Sequence, residues 1–171
     1  MDAPSRRLLA RTIARMLVTS ACALTLYAVA PMDVRFGPAT ALALLGALAA
    51  LGVLVGWQAR SIVGSPSPWL RALEALVTSI VLFLVVFATA YRLMDSDGPE
   101  HFSERLSKVD SLYFTVTVFS SVGFGDIVPV SAAARILTTV QMLGDLVFLG
   151  AVARVLVEAA RRGVERRGRR R

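Results

Sequence analysis

The chain has 171 residues, of which 56% are hydrophobic and only 18% are charged, and its mean hydropathy is +0.64. This composition excludes an ordinary soluble domain and predicts an all-α polytopic membrane protein, because helices satisfy their own backbone hydrogen bonds in lipid. The net charge of +7 reflects arginines that lie mostly near the two chain ends. Membrane topology accounts for them, so nucleic acid is not expected as a partner.

Four apolar segments follow one another along the chain, each close to the roughly 17 to 25 residues that cross a bilayer as a helix. They lie at about residues 16–32, 36–59, 75–91 and 136–153. Stretches that are polar or contain Pro and Gly separate them, as expected of loops. The sequence therefore predicts four transmembrane helices per chain, with the single cysteine, Cys22, as a buried thiol in the first.

The arginines predict how these helices are oriented. They precede the first segment within residues 1–15, flank the loop between the second and third segments as Arg60 and Arg71, and dominate the tail at residues 161–171. The positive-inside rule places all three regions in the cytoplasm, which an even number of spans permits. We therefore expect a plasma-membrane protein with both termini cytoplasmic, whose arginine-rich ends bind anionic lipid headgroups.

Between the third and fourth segments lies an apolar, threonine-containing decapeptide, SLYFTVTVFS, which is too short to span a bilayer. We expect it to form a re-entrant helix at about Leu112–Ser120, entering and leaving on one side of the membrane. Gly123 and Gly125 follow, and glycines adopt backbone conformations that other residues resist. Consecutive carbonyl groups can therefore point the same way and form a row of oxygens.

The stretch TVTVFSSVGFGDIVP closely resembles the pore helix and selectivity filter of potassium channels. The resemblance implies a pore domain at residues 72–160, made of an outer helix, a pore helix with its filter loop, and an inner helix. The two helices within residues 16–63 would lie at its periphery. It also implies a homotetramer around a central pore, with K⁺ as the transported ion and no cofactor. The ion-binding filter residues under this resemblance are Ser121, Val122, Gly123, Phe124 and Gly125.

The same resemblance implies four residues that support the filter. Asp126 resembles the family's aspartate that braces the filter from behind, and Tyr113 stands where an aromatic donor to that acid often sits. Thr117 and Ser120 belong to the pore helix, where their hydroxyl groups can bond to its backbone.

Three positions depart from the family pattern. Ser121 replaces a threonine and so lacks a methyl group that restricts the rotamer. Phe124 replaces a tyrosine and lacks its hydroxyl, and Thr117 stands where some members carry a glutamate. We still expect selectivity for K⁺ over Na⁺, with a weakly selective cation channel or a non-conducting pore-fold subunit as the alternatives.

The inner helix carries QMLGDLVFLG, which places Asp145 near the middle of the membrane. A carboxyl group there is costly, so we expect it to be functional. Two placements stay open: a water-filled cavity in which four copies attract cations, or a neighbouring helix where it bonds to hydroxyl groups or to Gln141. Gly144 and Gly150 either bend this helix for gating or permit close packing.

Two further classes of protein are not expected. The first two helices lack the regularly spaced arginines of a voltage sensor. The sequence also offers no nucleophile and base pair, and no phosphate-binding loop, in an accessible context. We therefore predict that the protein is not an enzyme.

Overall fold

The computed structural model describes residues 6–32, 37–63, 68–98 and 100–168. Within these ranges the chain forms five helices, and Phe102 and Pro129 form an isolated antiparallel bridge. The helices are α1 (Arg6–Val29), α2 (Pro38–Val63), α3 (Pro68–Asp97), α4 (Lys108–Phe119) and α5 (Ala132–Gly168). The all-helical fold class is therefore as predicted.

Three of the described helices are long and apolar enough to cross a membrane: α1 over Arg7–Val29, α3 over Leu70–Asp97 and α5 over Ala132–Val152. The apolar part of α2, Leu42–Gln58, is shorter. α4 has 12 residues, or about 18 Å, well below the roughly 30 Å of a hydrocarbon core. The span by α2 and the re-entry of α4 therefore stay predictions.

Several helices extend beyond the predicted borders. α1 begins at Arg6, inside the predicted basic N-terminus, and α5 continues to Gly168, inside the predicted tail. An apolar segment of sequence shows only the part of a helix that faces lipid or the core. The helix itself continues into the neighbouring arginines, because arginine is a good helix former. Residues 1–5 and 169–171 lie outside the described residues, and the last three are arginines that belong to the predicted lipid contacts.

α4 begins at Lys108, whereas the sequence predicted a start at Leu112. Ser107 caps this helix: its hydroxyl accepts from the Asp110 N–H at 3.2 Å, and Asp110 Oδ2 accepts from the Ser107 N–H at 2.9 Å. The two bonds form a capping box, which satisfies backbone donors that have no partner inside the helix. The Ser-x-x-Asp spacing is visible in the sequence and indicates the earlier start.

The core lies around α3, against which α1, α2, α4 and α5 all pack. Aromatic rings from α3, α4 and the loop between them fill it. The ring centroid of Tyr91 lies 4.9 Å from that of Phe114 and 5.7 Å from that of Phe102, both edge to face. Such geometry favours aromatic pairs, and it seats α4 against the end of α3 that precedes the loop.

A buried hydrogen-bond network joins α3, α4 and α5. The Tyr91 hydroxyl donates to Gln141 Oε1 at 2.7 Å, and Gln141 Nε2 donates to the Thr115 carbonyl at 3.0 Å. All three residues are fully buried, where an unpaired polar group would cost about 1 to 3 kcal/mol. The network therefore helps to set the position of α4 relative to α5.

α1 packs against α3 and leaves most of its apolar side chains exposed. Cys22 is exposed as well, so the prediction of a buried thiol is wrong. Lipid solvates the apolar side chains of a peripheral membrane helix as well as a protein core does. Hydrophobicity along this helix therefore does not report burial.

Candidate functional site

α4 ends in a hydrogen-bonded turn of the Schellman type. The Ser121 N–H donates to the Val118 carbonyl at 2.9 Å, and the Val122 N–H donates to the Thr117 carbonyl at 3.1 Å. Ser121 has a φ angle of 57°, the left-handed conformation that glycine usually adopts in this motif. The turn redirects the chain from the helix into the predicted filter loop.

The sign of φ alternates along this loop. Ser121, Gly123 and Gly125 have positive φ angles of 57°, 49° and 81°, whereas Val122 and Phe124 between them do not have positive φ. Alternating right- and left-handed conformations turn successive N–H groups to one side of the chain, and hence the carbonyl groups to the other. The loop is therefore suited to present a row of backbone oxygens.

The loop is exposed in the single chain. Every residue of 120–126 is exposed, including the apolar side chains of Val122 at 55% and Phe124 at 72%. A contiguous apolar surface of this kind marks a site that another molecule covers. Among the described residues, no cluster of three His, Cys, Asp or Glu could hold a metal ion.

Asp126 is held at the end of the loop by two hydrogen bonds. The Tyr113 hydroxyl donates to Asp126 Oδ2 at 2.7 Å, and the Ile127 N–H donates to Oδ1 at 3.0 Å. The bond from Tyr113, followed by the backbone bond from Ile127, holds the pKa of Asp126 below its ordinary value. The two side chains that the resemblance paired thus lie in direct contact.

Tyr113 also contacts the aromatic side chain of the loop. Its ring stacks on that of Phe124, with the two planes 7° apart and the centroids separated by 6.4 Å. This separation lies within the range of favourable aromatic pairs. Phe124 has no hydroxyl group, so stacking on Tyr113 is the contact through which its ring meets α4.

Thr117 supports the loop through its backbone. Its carbonyl accepts from the N–H groups of Val122 at 3.1 Å and Gly123 at 3.2 Å, and from the Ser120 hydroxyl at 3.3 Å. Its own hydroxyl donates to the Phe114 carbonyl within α4. The contacts of Thr117 with the loop are therefore made by its backbone carbonyl and not by its hydroxyl group.

Sequence reasoning missed Ser103. Its hydroxyl donates to the Asp126 carbonyl at 3.3 Å and accepts from the Val128 N–H at 3.0 Å, while its own N–H donates to the Val128 carbonyl. The loop before α4 therefore pairs with the chain that leaves the filter. No local signal predicts this contact, because the bonded residues are more than 20 positions apart.

Asp145 lies on α5 with both carboxylate oxygens shielded from solvent, and neither has a hydrogen-bond partner among the described residues. It lines a cavity of about 510 Å³ together with Ser120 and Ser121 at the end of α4. Gln141, the partner considered for it, bonds to Tyr91 of α3 and Thr115 of α4. The structure therefore brings Asp145 and Ser121, the first residue of the predicted filter, to the same cavity.

The two glycines of the inner helix differ in their surroundings. A Cβ atom at Gly144 would lie 2.7 Å from Phe83 Cε2, whereas one at Gly150 would meet no atom within 4 Å. Gly144 therefore permits close packing of α5 on α3. The proposed bending of the helix at either glycine stays a prediction.

A family model matches the chain from within α3 to within α5. Residues 79–162 match a family described as "Ion channel". The matched range starts within α3, includes α4 and the loop at residues 120–126, and ends within α5. It contains every candidate residue of the loop and of the inner helix.

Curated relatives match parts of the same region. "Potassium channel protein kcv" of Paramecium bursaria Chlorella virus 1 is 31% identical over 68 residues, which are 37% of this chain and 72% of that protein. "Two-pore potassium channel 4" of Arabidopsis thaliana is 49% identical over 41 residues, 24% of this chain and 14% of that protein. "Potassium channel K1" of Plasmodium berghei (strain Anka) is 28% identical over 104 residues, 60% of this chain but only 5% of that protein. No solved structure matches the chain at a significant level.

Proposed function

Because the chain belongs to the potassium channel pore-domain family, we propose that it conducts K⁺ selectively and passively across the plasma membrane. The alternating φ angles of residues 121–125 carry this conclusion, since a row of neutral carbonyl oxygens can replace the hydration shell of a cation. A protein of this family is an ion channel and not an enzyme.

In this proposal the carbonyl groups of Ser121, Val122, Gly123 and Phe124, with the Ser121 hydroxyl, form stacked sites for K⁺. Carbonyl dipoles bind a cation firmly enough to strip its water, yet let it leave, as conduction requires. α4 ends directly at these residues, and the C-terminal end of a helix carries partial negative charge. That end therefore adds to the attraction for a cation without placing a carboxylate in its path.

Four chains are needed to close such a pore, because each chain supplies one filter loop. The exposed side chains of Val122 and Phe124 support this assembly, since identical neighbours would cover an apolar surface that a single chain leaves open. We propose a homotetramer, with residues 72–160 as its pore domain and α1 and α2 at the periphery.

Asp145 has a role in the same assembly. Its unpartnered carboxylate lines the cavity at the base of the filter, and an intramembrane acid is stable only where water or a partner reaches it. We place it in a water-filled cavity where four copies attract cations. Both termini are cytoplasmic in this arrangement, and the basic ends contact anionic lipid headgroups.

The reversal potential of purified protein in planar bilayers, with K⁺ on one side and Na⁺ on the other, tests the proposal. We expect reversal close to the K⁺ equilibrium value. Gly123→Ala should abolish this selectivity, because Gly123 has a φ angle of 49°, which side chains resist. Gly150→Ala is the matched control, since a methyl group there meets no neighbouring atom, and it should keep the K⁺ selectivity of the wild type even if it changes gating.

The other outcomes separate the alternatives. A reversal potential near zero in the wild type would identify a weakly selective cation channel. Absence of current at every voltage and pH would instead indicate a non-conducting subunit with the pore fold. Equal loss of selectivity in Gly123→Ala and Gly150→Ala would contradict the assignment of the filter.

A further inference from the structure

The outer end of α1 is bonded to the first residue of α4. The Tyr27 hydroxyl donates to the Lys108 carbonyl at 2.7 Å. In return, Lys108 Nζ donates to the carbonyls of Ala28 at 2.6 Å and Ala30 at 2.7 Å. We call these four residues the outer latch. It joins a peripheral helix to the pore helix by three hydrogen bonds between segments about 80 residues apart in sequence.

The charge of Lys108 has a physical explanation in this contact. A cation at the start of a helix is disfavoured, because the N-terminal end of a helix carries partial positive charge. The last carbonyls of a helix lack partners within it and carry partial negative charge, so a cation is favoured there. Lys108 is the first residue of α4, yet its ammonium group lies on the carbonyls at the end of α1. The charge of Lys108 therefore stabilises the contact between α1 and α4, and not α4 by itself.

Tyr27 contributes the third hydrogen bond of the outer latch. Its side chain is 5% exposed, and its hydroxyl reaches the backbone of the same residue whose side chain bonds back to α1. A cavity of about 560 Å³ lies beside it, lined by residues of α1, α2 and α3 that include Tyr27 and Ala30. Tyr27 and Ala30 therefore both line this cavity and bond to Lys108 of α4.

α4 connects the outer latch to the filter loop. The helix spans Lys108–Phe119, about 18 Å at 1.5 Å per residue. Near its other end, the Thr117 carbonyl holds the N–H groups of Val122 and Gly123. A displacement of α4 along its axis would therefore move the atoms that position the filter backbone. The bond from Gln141 to the Thr115 carbonyl is the second restraint on this helix.

We propose that Lys108 and Tyr27 are positioning residues, through which the first helix holds the pore helix and thereby stabilises the filter loop. This role rests on the proposed channel function for its effect on conduction. Its structural part, the ordering of α4 and residues 120–126, is independent of conduction.

Amide hydrogen exchange of the full chain in nanodiscs tests the structural part. Tyr27→Phe removes one bond of the outer latch without changing charge, and Lys108→Met removes the two side-chain bonds. We expect exchange to become roughly 2- to 10-fold faster in residues 108–119 and 120–126 for Tyr27→Phe, and faster still for Lys108→Met. Residues 132–142 of α5 should be unchanged. Lys108→Arg keeps the charge and the donors, so it should restore most of the protection.

Unchanged exchange in α4 and the loop, or faster exchange confined to α1, would overturn the proposal, because Gln141 would then suffice to hold the helix. The second readout is the decay of K⁺ current at low external K⁺, which should accelerate in both variants and recover in Lys108→Arg. Altered exchange with an unchanged decay of current would also overturn the role in filter stability. A wild-type protein that passes no current contradicts the proposed function, while the exchange experiment still decides whether the outer latch orders the loop.

Discussion

The two peripheral helices and the segment from α3 to α5 are similarly apolar but are held in place by different means. α3, α4 and α5 share a buried hydrogen-bond network, and their aromatic rings belong to the main core, to which α2 adds Leu51. In α1, 6% of the apolar window is buried, against 22% in α3. Hydrophobicity alone therefore does not hold one membrane helix against another, since lipid is as apolar as the helix surface. Shape and hydrogen bonds decide which helices form a rigid unit.

The polar contacts of the two regions differ in the same way. The polar contacts of α1 and α2 with other parts of the chain include the ion pair of Arg15 with Glu74 at 3.0 Å, the bond from Ser79 to Gln58 at 3.0 Å, and the outer latch at the end of α1. α4 is bonded at its start, middle and end. Loosening a peripheral contact should therefore cost less stability than disturbing the α3–α5 unit.

The largest expected effect is a loss of stability in Gly144→Ala, in contrast to the same substitution in α2. Gly144→Ala places a methyl group 2.7 Å from the Phe83 ring. Other aromatic rings surround this ring, and the centroid of the Phe87 ring lies 4.7 Å from its own. We expect a loss of about 1 to 3 kcal/mol of stability from overpacking, measured as a lower thermal unfolding midpoint in detergent. Adding Phe83→Leu should recover part of it.

Gly52→Ala in α2 is the comparison for Gly144→Ala, because nothing lies within 4 Å of its added methyl group. Alanine is the better helix former by about 1 kcal/mol, so this variant should be neutral or slightly stabilised. An equal loss of stability in the two variants would contradict the distinction between the peripheral helices and the α3–α5 unit.

A smaller effect concerns the rim of the filter. The hydrogen bond from Tyr113 lowers the pKa of Asp126, so the contact stabilises the fold above the ordinary carboxyl pKa and is lost as pH falls through the lowered value. Tyr113→Phe should raise the pKa of Asp126 toward its ordinary value. The carboxyl ¹³C signal of Asp126, assigned with Asp126→Asn, measures this shift. An unchanged titration midpoint would show that Tyr113 does not hold the acid.

The smallest effect is expected at the ion pair between α1 and α3. The Arg15 side chain is 67% exposed, and such a pair contributes less than about 1 kcal/mol because solvent screens it. Arg15→Met should therefore shift the unfolding midpoint only slightly, and high salt should abolish the difference from wild type. A large shift that persists in high salt would show that α1 is held as firmly as the pore helix.

Much of the candidate site could be predicted because it is contiguous. The residues from Thr117 to Asp126 form one motif, and the resemblance to potassium channels was enough to pair Tyr113, on the same short helix, with Asp126. Ser103 and the outer latch could not be predicted, because Tyr27 and Lys108 are 81 residues apart. Which distant residues meet depends on how α1 and α4 pack against α3.

The sequence by itself determined the membrane character, most of the helices and two of the three positive-φ positions in residues 121–125, since these depend on local hydropathy and on the φ preference of glycine. It also placed an acid in the inner helix. Only the tertiary structure decided that Asp145 shares a cavity with Ser121, that Gly144 packs on Phe83 and that Cys22 is exposed. These features arise from contacts between separate helices, and hydropathy does not distinguish a side chain that faces lipid from one that faces protein.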